Sequence, residues 1–166
     1  MKTVEEIVET LNLQVHPEGG YFSEVYRSAL AIPETTFPDR FPGERNVCTS
    51  IIFLLPSHHR SLFHRIKSDE LWFFHEGSSL SIYIIENNKC RVVKLGNNSL
   101  EGEHYQLMVP ANCWFGAMVN GPGAYTLCSC TVAPGFDFDD CEIAERAQLL
   151  DEYPHLQKEI MLLTNP

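Results

Sequence analysis

The stretch Ser61-Leu-Phe-His64-Arg-Ile66-Lys-Ser-Asp-Glu70-Leu-Trp72-Phe-Phe-His75-Glu-Gly77 holds the residues best suited to chemistry. An imidazole and a carboxylate six positions apart, in strand-like surroundings broken by Lys67-Ser68-Asp69, fit two strands joined by a tight turn. That places His64 and Glu70 on one inner face. Burying an unsatisfied polar group costs about 1–3 kcal/mol, so such a pair needs a reason to be there. Three reasons compete. The two could be part of a site for a divalent transition metal, since imidazole and carboxylate suit Zn, Fe, Ni or Mn, although two ligands fall short of the usual three or four. They could be a metal-free general base with its orienting partner. They could simply share a structural hydrogen bond.

Alternation puts Trp72 and Phe74 on the face of Glu70, where Trp72 either stacks on a planar ligand or fills the core. Gln106, in the strand-like Gln106-Leu-Met108, could read the donor–acceptor edge of a ligand or stand outward in water. Trp114 is a candidate pocket wall. In Tyr21-Phe-Ser-Glu24-Val-Tyr26-Arg27, strict alternation sets Glu24 and Tyr26 on one face, as a possible acid and hydroxyl, and Tyr21 with Arg27 on the other. Tyr125 is a second candidate for returning a proton. His16 and Glu18, in the turn sequence His16-Pro-Glu18-Gly19-Gly20, read as stabilisers of that turn. His58 and His59 are adjacent on a loop and make a poor ligand pair, and His75 reads as a rim residue.

The elements that must position these residues follow from periodicity and turn chemistry. Val4, Ile7, Val8 and Leu11 mark a short amphipathic helix over 3–11, and a strand is expected over 21–28. Residues 29–46, interrupted by Pro33, Pro38, Pro42 and Gly43, form a loop of about 18 residues. Loops beyond about 12–15 residues are usually functional or disordered, so this one is a candidate lid. From Val47 to Val132 short strand-like runs (47–55, 61–66, 70–75, 80–86, 90–95, 105–109, 113–119, 124–132) alternate with Gly, Pro, Asn and Ser turns. That is the pattern of an all-β sandwich or barrel. Asp139-Asp140 is expected to cap a helix carrying Ile143, Ala144, Ala147 and Leu150, and a last helix runs from Pro154 to about Leu163.

Bulk properties bound the function. A length of 166 residues suits one domain, and 44% hydrophobic with 20% charged residues suits a globular one. A net charge of −10 argues against nucleic acid as a partner. The acidic N-terminus does not resemble a secretory signal, and the longest apolar run, Ile51–Leu55, cannot cross a bilayer. A cytoplasmic protein without membrane partners is expected. Its six cysteines are then reduced thiols, with Cys128 and Cys130 on one face of a strand.

The His64–Gly77 stretch resembles the first cupin motif, in which two His one residue apart precede a Glu by four and a Gly by more. The second motif, Pro-x-Gly-x-x-His, is matched at Pro110, but Asn112 replaces the Gly and Phe115 the His. Ile66 stands in place of the second His of the first motif. Half of the usual metal ligands are therefore apolar. With His16–Arg27, His64–Trp72, Gln106–Pro110 and Thr131–Phe136, the chain resembles the cupin branch labelled domain of unknown function 985, over residues 16–136. The resemblance implies a jelly-roll double-stranded β-helix, a homodimer and a small-molecule ligand. Likeness to the cupin sugar epimerases, which use a barrel His without a metal, implies an epimerase or isomerase acting on a sugar or sugar nucleotide. On that reading His64 is the base, Glu70 orients it and Tyr26 or Tyr125 returns the proton. The other readings are a metal-dependent cupin enzyme, such as a dioxygenase or phosphosugar isomerase, and a non-catalytic binder in which Trp72 and Gln106 hold a planar ring.

Overall fold

The computed structural model describes residues 2–37 and 39–166; Pro38, counted above among the breakers of the 29–46 loop, lies outside them. In chain order the elements are α1 (Val4–Thr10), β1 (Gln14–Val15), β2 (Tyr21–Arg27), β3 (Ala31–Ile32), β4 (Arg45–Asn46), β5 (Thr49–Pro56), β6 (Ser61–Ile66) and β7 (Asp69–Gly77). They continue with β8 (Leu80–Glu86), β9 (Lys89–Leu95), β10 (Glu103–His104), β11 (Gln106–Val109), β12 (Trp114–Val119), β13 (Tyr125–Ala133), β14 (Cys141–Ile143), α2 (Arg146–Glu152) and α3 (Gln157–Leu162). No helix among the described residues is long and apolar enough to cross a membrane.

Two six-stranded sheets face each other, ordered β1-β2-β5-β13-β7-β11 and β10-β9-β8-β12-β6-β14. Alternation along each strand decides what fills the space between them. Phe53 and Leu55 of β5, Trp72 of β7, Ile82 and Ile84 of β8, and Cys128, Cys130 and Val132 of β13 point inward and make the main core. Burying each large apolar side chain contributes about 1.5–3 kcal/mol, so this layer supplies most of the driving force. The residues between them face out and are covered at two places. Phe63, Ile85 and Trp114 pack under α2 and α3 through Leu149, Leu156, Ile160 and Leu163. Leu54 and Tyr125 pack under α1 through Ile7. A capping box fixes the start of α1: Glu6 N–H donates to Thr3 Oγ1, and Thr3 N–H donates to Glu6 Oε2.

Two expectations are corrected. The 29–46 segment is not without regular structure, because β3 and β4 pair within it and Glu34–Thr36 forms a 3-10 turn. The Asp139-Asp140 pair does not cap a helix. Asp140 is buried and receives two bonds from Arg45 (Nε to Oδ2, 2.6 Å; Nη2 to Oδ1, 2.9 Å), so the chain continues as β14 and helix begins only at Arg146. A carboxylate answered by a buried guanidinium 95 residues away cannot turn back to its own backbone.

That bond joins the 29–46 segment to the loop before β14. Removing one partner of a buried pair leaves the other charge uncompensated, so Arg45→Ala is expected to cost about 3–5 kcal/mol. Urea unfolding with an unchanged m-value checks this; a loss below 1 kcal/mol would show that water or Lys67 replaces the guanidinium.

Candidate active site

His64 and Glu70 both point into the space between the sheets, as expected, but each comes from a different sheet. β6 pairs with β12 and β14, whereas β7 pairs with β13 and β11, so the turn over Lys67 and Ser68 carries the chain from one sheet to the other. Both side chains are buried and line a cavity that opens to solvent. Ile51, Ile66 and Val132 form its apolar walls, and Phe136 and Phe138 border it together with Glu24 and Arg27.

The partner of His64 is Glu18. Its carboxyl Oε2 lies 3.0 Å from His64 Nε2, while His64 Nδ1 lies 2.7 Å from the Leu62 carbonyl oxygen. A carbonyl only accepts, so Nδ1 carries the hydrogen and Nε2 faces Glu18. Glu18 reaches the cavity because the His16–Gly20 turn is pressed into the barrel. Leu62 N–H donates to Glu18 O at 2.9 Å, extending the edge of β6. Gly19, at φ +114°, lies where any Cβ would collide with Arg60 O. Only glycine combines that dihedral with that approach. Glu18 Oε1 also accepts from Cys141 Sγ at 3.2 Å. His16 packs edge-on against Phe22 and Phe53 and accepts at Nδ1 from Glu18 N–H.

Burial dominates the electrostatics. It pushes the Glu18 carboxyl up to about 8, reinforced by Glu70, and pushes Glu70 up to about 7, opposed in part by the nearby Cys130 thiol and Trp72 indole. It pushes His64 down to about 3 and His16 down to about 4. The same burial, with Glu18 beside it, holds the Cys141 thiol well above its ordinary value. Near neutrality the Glu18–His64 pair holds one proton more than the carboxylate and neutral imidazole would, whichever heavy atom carries it.

The other expected site residues are placed as follows. Glu24 lines the cavity, but Tyr26 is 53% exposed and does not. A β-bulge between Glu24 and Tyr26 breaks the alternation, so Arg27 joins Glu24 on the inner face and Tyr26 turns out. Trp72 lies in the core behind the cavity, where its indole N–H borders a small void and has no hydrogen-bond partner. Gln106 is exposed on the edge strand β11, opposite Phe73. Trp114 faces out under α2 and α3, with the Arg65 guanidinium 4.4 Å above its ring. Tyr125 packs under α1 and donates to Glu76 Oε1 at 3.1 Å, so none of these three borders the cavity. His75 is exposed and bonded to Ser129.

The donor set does not fit a metal. Phe115 packs its ring 4.0 Å from that of His64, Ile66 lines the wall, and the described residues contain no group of three or more His, Cys, Asp or Glu in ligating geometry. Asn112 does substitute for the motif glycine: it adopts φ +63°, which Asn tolerates, and its N–H donates to Ile66 O. Sequence reading missed Glu18, whose one signal is the glycine pair that follows it.

Two facing sheets of this order have the fold of a solved cupin 2 domain-containing protein from Halorhodospira halophila, at 8% identity and TM-score 0.58 over 92% of this chain and 88% of that one. The chain belongs to the cupin superfamily family described as Cupin superfamily (DUF985), whose model matches residues 5–144. It is similar to the solved structure of protein SO0799 from Shewanella oneidensis, at 36% identity and TM-score 0.90 over 100% of this chain and 99% of that one. A hypothetical protein from Leishmania major is 34% identical with TM-score 0.90 over 99% of this chain and all of that one. The uncharacterized protein YML079W of Saccharomyces cerevisiae is 25% identical over 147 residues, 83% of this chain and 73% of its own length.

The four buried groups set a pH window for stability. In the unfolded chain the histidines titrate near 6.5 and the carboxyls near 4.5. Below 6.5 the unfolded chain binds the extra protons of His16 and His64; above 4.5 the folded chain keeps those of Glu18 and Glu70. Between these values the two differences cancel and stability is flat. Above 6.5 only the carboxyl difference remains, so stability falls until about pH 8; below 4.5 only the histidine difference remains, and it falls towards acid. Urea midpoints measured from pH 4 to 9 should trace this plateau, and Glu18→Gln should weaken the alkaline slope. A midpoint that rises above pH 6.5 would contradict the assignment.

Proposed function

We propose that this cupin is an acid–base enzyme of the epimerase or isomerase type, moving a proton at the carbon next to a carbonyl in a small sugar-class substrate. The observation that supports it is the Glu18–His64 pair, tautomer-fixed by the Leu62 carbonyl and set beside a second carboxyl at the floor of an open cavity. Two groups in different protonation states near one bound carbon are what such a reaction needs.

The roles follow from the proton inventory. Glu70, pushed up to about 7, is partly ionised near neutrality and serves as the base. It takes the proton from carbon, and the electron pair moves onto the carbonyl oxygen as an enediolate. In an epimerisation the Glu18–His64 pair, which holds its proton up to about pH 8, returns one to the same carbon on the other face. In an isomerisation it protonates the former carbonyl oxygen, the neighbouring hydroxyl returns a proton to the pair as it becomes the new carbonyl, and Glu70 delivers its proton to the former carbonyl carbon. Glu18, not Glu70, is thus the partner that orients His64. Tyr26 and Tyr125 lie outside the cavity and have no part in the step.

The test is deuterium wash-in, followed by NMR, with a panel of aldoses, ketoses and sugar lactones in D2O. Wild-type protein should label the carbon next to the carbonyl, and Glu70→Gln and His64→Ala should lower the rate by about 10²–10⁴-fold. The rate should follow a bell with an acid limb near 7 and an alkaline limb near 8, the latter lost in Glu18→Gln. A compound that binds in the cavity yet never exchanges would mark a binding protein instead.

A further inference from the structure

Arg27 supplies the only guanidinium or ammonium among the described residues that line the cavity, and its hydrogen-bonding capacity is nearly spent. Its Nε donates to Glu24 Oε1 at 3.0 Å and its Nη2 to Glu24 Oε2 at 2.7 Å, a fork-to-fork pair that neutralises it. Its Nη1 donates to Asn46 Oδ1 at 2.8 Å and to the Phe136 carbonyl oxygen at 3.2 Å. A guanidinium has five N–H donors, so four bonds leave a single one free. The β-bulge that swings Tyr26 outward is what brings Arg27 onto the face of Glu24. A phosphate entering here would find one N–H, a carboxylate already holding the guanidinium, and the Glu18 and Glu70 carboxyls on the floor.

The rest of the lining favours a different occupant. Phe136 and Phe138 meet edge to face, 5.0 Å between ring centroids, and with Phe22 offer aromatic surface to the C–H face of a ring. Behind the floor, the buried Trp72 indole N–H borders a void that it shares with Glu70 and Ser61, near enough to the Glu70 carboxyl to favour its ionised form but without a full hydrogen bond to it. A ligand hydroxyl or a water in that void would bridge the indole N–H and the Glu70 carboxyl.

We infer that the part of the ligand held inside the barrel is an uncharged hydroxylated ring, a free sugar or its lactone, and that Arg27 braces the mouth instead of receiving a phosphate. The kind of ring rests on the acid–base reading above; its lack of charge does not. Of the substrates a cupin barrel could serve, this separates free sugars from phosphosugars and from nucleotide-linked sugars bound through their phosphates.

Calorimetric titration with inorganic phosphate and with glucose 6-phosphate tests the charge. Wild-type protein should show no saturable binding of either. Glu24→Gln, which leaves the guanidinium without its counter-charge, should bring phosphate binding into the measurable range, a gain of about tenfold or more, which is about 1.4 kcal/mol. Adding Arg27→Gln should remove that gain. Saturable phosphate binding to the wild type that Arg27→Gln abolishes would overturn the inference, and so would a folded Glu24→Gln protein without the gain. Neither outcome touches the deuterium experiment, which needs no phosphate, so failure of the charge assignment and failure of the proton-transfer reading stay distinguishable.

Discussion

Everything at the centre of this barrel depends on one contact, between the Glu18 carboxyl and His64 Nε2 at 3.0 Å. It links a turn near the N-terminus to a strand of the second sheet, and neither end is adjustable. His64 is held at Nδ1 by the Leu62 carbonyl. Glu18 is held by its own backbone, through Leu62 N–H on one side and Gly19 against Arg60 on the other. The turn therefore acts as a plug in the barrel, and its side chain becomes part of the floor.

The fold was largely legible because half-buried strands advertise themselves. The runs 61–66 and 80–86 are short, rich in apolar and β-branched or aromatic residues and end at turn residues, and the observed strands keep those bounds. What composition could not supply was long-range pairing. Asp140 looks like a cap until Arg45 is found beside it, and no local pattern announces a partner 95 positions away. The bulge near Val25 is equally silent, yet one extra residue moves Tyr26 from the cavity to the surface and Arg27 the other way. The 29–46 segment hides a two-residue ladder too short to leave a periodic trace.

The site was half legible for a related reason. His64 and Glu70 were visible because polar residues inside apolar strands demand explanation. Glu18 was not, because Glu in a Pro-Glu-Gly-Gly turn is ordinary on a surface. Turn chemistry reports the backbone's shape and says nothing of whether the turn faces water or the barrel. A pair of glycines at positive φ, one against the Arg60 backbone just ahead of β6 and the other against the Leu54 backbone of β5, is the feature that separates the two cases, and it becomes visible only in three dimensions.

The apolar replacements at Ile66 and Phe115 can then be understood as more than the loss of ligands. A histidine at either place would add a donor and draw water inward. Phe115 instead seals one face of the His64 ring at 4.0 Å, and Ile66 dries the wall beside it. Desolvation is the leading cause of the shift at all four buried groups, raising the two carboxyls and lowering the two imidazoles. A barrel that kept the full donor set would hold its carboxylate ionised against a cation. This barrel lacks two of those donors, and the same burial holds a proton on a carboxyl near neutral pH, where it is available to move.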